Sequence, residues 1–303
     1  MTRVLVTGAG GFVGRHLTPI LAAAGLEVHA IASGPASTSA EGCRWHQADL
    51  LDAGQRHAVV AAAKADALVH LAWYARPPDY WQSPENLRWL AASVDLFSHF
   101  AQTGGTRILG VGTCAEYDWR YGYCTERVTP IAPASLYGTA KAACGSVLES
   151  YAAQAGLSAA WGRLFFLFGP FDSPLRLVPS LVRTLRDGQP SRCTAGNHVR
   201  DFLHVADAAS ALVALLQSPV TGPVNIGSGI PVRIGDVARR VAARLGCPER
   251  LSVEEGPAEN AFVGANVARL RDEVGWRPAS DTMSRLDDTI CWWHAPQPLA
   301  VKT

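Results

Sequence analysis

Apolar residues along this chain fall into two alternating patterns: short unbroken runs, and longer stretches in which they recur at helical spacing. The runs over 4–7, 27–32, 67–71, 107–112 and 159–168 predict strands, with a further short one at 44–46 before Asp49. Between them the three-to-four spacing predicts helices ending at Ala24 and over 53–64, about 84–103 and about 134–155. Strands and helices that alternate in this way make a parallel sheet covered on both faces, so the expected architecture is α/β, a Rossmann-type doubly wound sheet. Beyond Phe168 the elements shorten and proline and glycine interrupt them, as in Asp172-Ser173-Pro174, Asp187-Gly188-Gln189-Pro190 and Thr221-Gly222-Pro223. This change of texture predicts a first domain over 1–168, rejoined by about 200–217, and a smaller C-terminal substrate-binding domain over 169–303.

The first strand runs directly into Thr7-Gly8-Ala9-Gly10-Gly11-Phe12-Val13-Gly14, a GxxGxxG turn, and then into a helix through Arg15-His16-Leu17. A helix N-terminus so placed offers backbone N–H groups to a dinucleotide pyrophosphate. Gly8 permits the tight turn, Gly11 the close approach of phosphate, and Gly14 the packing of helix on strand. Glycine turns also arise from strand-to-helix geometry alone. Position favours cofactor binding here, because the turn follows the first strand and a second strand ends at Ala32 with βαβ spacing. That second strand closes on Ala30-Ile31-Ala32-Ser33-Gly34, without the Asp or Glu that would hold the adenosine ribose of NAD. A carboxylate there would repel a 2′-phosphate, so its absence points to NADP, with Ser33 and Arg15 as phosphate contacts and NAD as the alternative.

Composition narrows the classes. With 303 residues, 48% hydrophobic and 17% charged, the chain can bury a substantial core. A net charge of +1 recruits neither nucleic acid nor an anionic membrane. No apolar run approaches the ~20 residues of a membrane span, and a strand at the start leaves no room for a secretory segment, so the expected location is the cytoplasm. The seven cysteines show no CxxC spacing and the nine histidines no HxxxH or HxxE pairing, so neither disulfides nor a metal is expected. The tail over 295–303 is expected to be loosely held.

Tyr137-Gly138-Thr139-Ala140-Lys141 opens a predicted helix, and its i,i+4 spacing puts phenol and ammonium on one face. A nearby ammonium and an oxidised nicotinamide both favour phenolate, which makes the tyrosine an acid/base able to exchange a proton. An isolated pair of this kind is more often a solvated surface pair. The third member is Thr113, at the carboxyl end of a predicted strand where open α/β sheets bind ligands. Its hydroxyl can hydrogen-bond a substrate oxygen while Tyr137 moves the proton and Lys141 holds the nicotinamide ribose. Cys114 has no histidine placed to activate it and reads as a small buried filler.

With these motifs the chain resembles the extended short-chain dehydrogenase/reductases, in their sugar-nucleotide epimerase/dehydratase/reductase branch. The likeness also rests on Asp49-Leu50, His70-Leu71-Ala72, Ser83-Pro84-Glu85-Asn86 and Arg163 through Gly169-Pro170. Near the C-terminal part it rests on Arg200-Asp201-Phe202-Leu203-His204-Val205-Ala206-Asp207 and Asn225-Ile226-Gly227-Ser228-Gly229. The resemblance implies a cofactor site of Gly8, Gly11, Phe12, Val13, Gly14, Arg15, Ser33, Asp49, Leu50, Leu71, Ala72, Trp73, Tyr137, Lys141 and Phe165, with Asp49 and Leu50 on adenine. It implies substrate contacts from Tyr74, Asn86, Thr113, Phe166 and Arg200, the last on the diphosphate. Read without the resemblance, Arg200 is an ion-pair partner of Asp201. A second diphosphate arginine expected near Gly256 to Asn260 is missing, and Arg176 or Arg183 is the substitute. The loop Trp73 to Trp81 is rich in aromatics that either stack on sugar or base or pack over the interface. The helices from about 84 and 134 resemble the pair through which the family dimerises as a four-helix bundle.

One departure narrows the chemistry. Where the family's 4,6-dehydratases carry Thr-Asp-Glu, this chain reads Thr113-Cys114-Ala115, without the carboxylates that water elimination needs. The expected activity is NADPH-dependent 4-keto reduction of a nucleotide-linked 4-keto-6-deoxysugar. An NAD-dependent sugar-nucleotide 4-epimerase is the alternative, and a non-catalytic nucleotide sensor the second.

Overall fold

The computed structural model describes residues 2–34 and 42–295; the predicted loose tail falls mostly outside them. The chain begins with β1 (Arg3–Thr7), α1 (Gly14–Ala23), β2 (Glu27–Ala32), β3 (Cys43–Gln47), α2 (Ala53–Ala63) and β4 (Ala67–His70). It continues through α3 (Glu85–Gln102), β5 (Arg107–Thr113), β6 (Tyr123–Cys124), α4 (Leu136–Ala155), β7 (Ser158–Leu164), β8 (Phe166–Phe168) and α5 (Leu177–Arg186). Next come β9 (Ser191–Cys193), β10 (Val199–Arg200), β11 (Phe202–His204), α6 (Val205–Gln217) and β12 (Gly222–Ile226). The last elements are β13 (Val232–Arg233), α7 (Ile234–Arg244), β14 (Leu251–Val253), β15 (Phe262–Ala265) and α8 (Thr282–His294).

Seven strands form one parallel sheet in the order β3-β2-β1-β4-β5-β7-β12. The strand order reverses between β1 and β4, which opens a crevice at their carboxyl ends. Period-two alternation divides the core. Val4, Val6, Val69 and Leu109 face α1 and α6, whereas Leu5, Leu68 and Ile108 face α2, α3 and α4. The chain returns to this sheet late, since α6 packs on α1 and β12 pairs with β7. A third cluster joins α5, α7 and α8 around Val182, Val241 and Ile290. A small mixed sheet, β13-β10-β15-β6, lies beside it.

One predicted boundary is corrected. The apolar run over 159–168 is two strands: Phe165 N–H bonds Ile226 O at 3.0 Å, after which Phe166–Phe168 pairs with β11. Backbone partners from distant segments override the continuous hydrophobic pattern there. Among the described residues no helix is long and apolar enough to cross a membrane, and no cluster of His, Cys, Asp and Glu is arranged to hold a metal.

Candidate active site

The glycine turn sits at the crevice. Gly8 has φ +67°, and a Cβ on it would lie 2.8 Å from Ala72 N. A Cβ on Gly14 would lie 2.3 Å from Gly8 O and one on Gly11 3.1 Å from the same atom, so backbone folds on backbone with no room for side chains. No side chain caps the N-terminus of α1, whose leading N–H groups suit an anion. Arg15 Nε donates to Gly10 O at 2.7 Å, and its guanidinium lies 5.3 Å over the Phe171 ring. Phe12, Val13 and Leu71 are half-buried, Leu50, Ala72 and Phe165 buried, and Asp49 and Ser33 exposed. These residues fit a dinucleotide. The turn is tied to β4 by a buried relay: Ala72 N–H donates to Thr7 Oγ1 (3.2 Å), and the His70 ring bridges Thr7 and Ser93 at 2.8 Å each. Burial, with Lys141 nearby, pushes the His70 pKa down to about 3, so the ring is neutral.

Thr113 ends β5 and caps a short turn, its Oγ1 accepting from Ala115 N–H at 3.2 Å. Ser135 caps α4 by accepting from Gly138 N–H at 3.1 Å, which starts the helix just before Tyr137. The Thr113 hydroxyl lies near enough to the Tyr137 phenol to favour its ionised form. Lys141, one turn on, donates from Nζ to Val111 O at 2.8 Å and lies 4.0 Å from the centre of the Trp73 ring. Burial pushes Lys141 down to about 8 and holds the Tyr137 phenol well above its ordinary value, with the nearby Thr113 hydroxyl opposing the latter shift. A neutral phenol one helical turn from an ammonium can act as a proton donor.

The aromatic loop closes over this group. Tyr80 meets the Tyr137 ring edge-on at 4.9 Å and Trp81 does so at 5.8 Å. Tyr74, the expected substrate contact from this loop, is half-buried, and the rings that meet the phenol are those of Tyr80 and Trp81. The Arg176 guanidinium lies 5.7 Å from the Tyr80 ring centre, so Arg176 is brought to the site while Arg183 lies exposed on α5. Asn86, also expected as a substrate contact, is fully buried, and its amide donates to Tyr80 O and Ser83 O and accepts from Trp73 Nε1 at 2.8 Å. Its amide is therefore engaged in positioning the loop.

Sequence reasoning also missed Glu116. This carboxylate has no exposed surface and accepts from Thr113 N–H (2.8 Å), Trp161 Nε1 (3.0 Å) and Arg163 Nε (2.6 Å). Arg163 continues to Tyr117 Oη and thence to Asn225. A Cβ on Gly110, Gly112 or Gly145 would come within 2.1–2.7 Å of the Trp161 indole. Cys114 is buried and desolvation raises its thiol pKa, in keeping with a filler.

Arg200 is buried, and Asp201 does not pair with it: the Asp201 carboxylate accepts from Ser228 N–H and Oγ, Gly229 N–H and Ala265 N–H. Arg200 Nη1 donates to Val199 O and Ala261 O and Nη2 to His198 Nδ1, between the rings of Trp119 (5.8 Å) and Phe166 (5.5 Å). Among the described residues no carboxylate lies within ion-pair distance of it.

Comparison with known proteins agrees with this geometry. Residues 4–227 match the model of the NAD dependent epimerase/dehydratase family. UDP-glucuronic acid decarboxylase 1 of Xenopus tropicalis is 27% identical over 96% of this chain and 72% of its own. UDP-glucose 4-epimerase of Streptomyces lividans is 24% identical, over 98% and 97%. Among solved structures, MoeE5 in complex with UDP-glucuronic acid and NAD superposes with a TM-score of 0.84 at 28% identity, covering 96% of this chain and 98% of that one. With more than half its length matched and a nucleotide-binding turn beside a Thr/Tyr/Lys set, the chain belongs to the NAD dependent epimerase/dehydratase family of enzymes.

Proposed function

We propose that this enzyme reduces the 4-keto group of a nucleotide-linked deoxysugar with NADPH. The observation that carries the reading is the end of β2, where exposed Ser33 stands without a carboxylate. A bound nicotinamide supplies the hydride. Tyr137 donates the proton to the carbonyl oxygen, Thr113 shares in holding that oxygen, and the Lys141 ammonium steadies the phenolate left behind. Glu116 takes no part as an acid, since it is spent on Arg163, and Cys114 and Ala115 supply no carboxylate for water elimination. Arg200, cationic and without a carboxylate partner among the described residues, holds the diphosphate. Phe165 is assigned to the cofactor, and Phe166, 5.5 Å from the Arg200 guanidinium, to the substrate. The remaining cofactor contacts, Asp49 and Leu50 on adenine among them, are proposed as the resemblance implies. We further propose a homodimer through α3 and α4, on whose outer faces Leu87 and Val147 are exposed.

A second reading, 4-epimerisation with retained NAD, is favoured by the Streptomyces relative's name and by the NAD bound to MoeE5. Calorimetric titration with both reduced cofactors tests the choice. Wild type is expected to bind NADPH more tightly, and Ser33→Asp to reverse the order by repelling the 2′-phosphate. Tighter NADH binding by wild type would overturn the cofactor assignment.

A further inference from the structure

Arg200 reaches out from a short strand, and a guanidinium recognises a diphosphate only if its plane and free edge are fixed. Three of its N–H donors are taken by Val199 O, Ala261 O and His198 Nδ1, the last at 3.2 Å. Nε–H and one Nη2–H have no acceptor among the described residues. His198 is itself held from the other side: its Nε2 meets Pro257 O at 2.7 Å. Accepting from Arg200 at Nδ1 and donating to a carbonyl at Nε2 fixes one neutral tautomer. The loop that carries Pro257 is clamped in turn. Gly256 N–H donates to Asn197 Oδ1 (2.7 Å) and Asn197 Nδ2 to Gly256 O (3.3 Å). A Cβ on Gly256 would lie 2.9 Å from His198 Nε2, so the close approach depends on glycine. This is the loop from which the expected second arginine is missing.

We propose that His198 is a positioning residue for the diphosphate site, acting through Nδ1 to orient Arg200 while Pro257 O fixes its tautomer. The inference rests on Arg200 being the diphosphate anchor. The two amide substitutions separate the ring nitrogens: asparagine places an oxygen near Nδ1, whereas glutamine reaches only toward Nε2. Affinity of the NADPH-saturated full chain for UDP and for dTDP, measured by calorimetry, reads the effect without depending on turnover. His198→Phe and His198→Gln are expected to weaken the nucleoside diphosphate that binds by roughly tenfold, near the lower end for a hydrogen bond to a charged group. His198→Asn is expected to stay within about threefold of wild type, because it keeps the acceptor. In an Arg200→Ala background the same substitutions are expected to add nothing. Should His198→Phe fail to fold, the Asn/Gln contrast carries the test. Equal losses for Asn and Gln, unchanged affinity in Gln, or an undiminished further loss in the Arg200→Ala background would each overturn the role of His198. Unchanged affinity in Arg200→Ala alone would instead remove the diphosphate anchor, and the inference with it.

Discussion

Glu116 makes a demanding test of how the site is built. Its carboxylate has no exposed surface, and its partner Arg163 is about as hidden, with a side chain 10% exposed. Glu116→Gln keeps the shape but leaves Arg163 as an uncompensated buried cation, for which a cost of about 3–5 kcal/mol is expected. At about 2 °C per kcal/mol for a chain of this size, the melting temperature should fall by roughly 6–10 °C. Arg163→Met in the same background removes the orphaned charge while the glutamine oxygen still accepts from Thr113 N–H and Trp161 Nε1. The double variant should therefore recover at least half of the loss. Thermal melts supported by urea unfolding measure both. A fall of under about 2 °C for Glu116→Gln, or a double variant whose loss is the sum of the two single losses, would refute the claim that these groups act as a pair.

Two further outcomes follow from the geometry. Gly14→Ala would bring a methyl to 2.3 Å from Gly8 O, which only a backbone shift can relieve; NADPH affinity should drop at least about tenfold with a destabilisation of ~1–3 kcal/mol, and intact cofactor binding in a calorimetric titration would contradict the cradle. His70 gives a pH signature. Its folded pKa is held near 3, whereas the unfolded ring titrates near 6.5, so its contribution to stability is complete above pH 6.5 and is lost as pH falls toward 3. Urea unfolding should show about 2 kcal/mol less stability at pH 5 than at pH 7 from this group, and His70→Asn should show a shallower acid loss; equal losses in both proteins would contradict it.

The parts of the site that could be read from sequence are those set by local spacing. Gly8, Gly11 and Gly14 specify a turn within one strand-helix junction, and Tyr137 and Lys141 lie one helical turn apart, so neighbouring residues alone define them. The rest depends on contacts between distant segments. Glu116 meets Arg163 across 47 positions and His198 meets Pro257 across 59, and no periodicity relates such pairs. Asn86 was expected at the substrate only through the resemblance, and its contacts were not legible either: its amide is engaged by Tyr80, Ser83 and Trp73. The strand over 159–168 read as continuous because both of its halves are apolar, although they pair with different partners. Arg200 beside Asp201 suggested an ion pair, but alternation along an extended backbone sends the two side chains in opposite directions.

The central claim is that Tyr137 protonates a sugar ketone as NADPH is consumed. Its most direct test is NADPH oxidation, followed by absorbance, with a panel of nucleotide-linked 4-keto-6-deoxysugars and with wild type and Tyr137→Phe side by side. Wild type is expected to oxidise NADPH in step with formation of the 4-hydroxy sugar, and Tyr137→Phe to be slower by about a hundredfold or more with cofactor affinity nearly unchanged. Inversion at C4 of a nucleotide sugar with no net use of NADPH, or a Tyr137→Phe rate within about tenfold of wild type, would contradict the account.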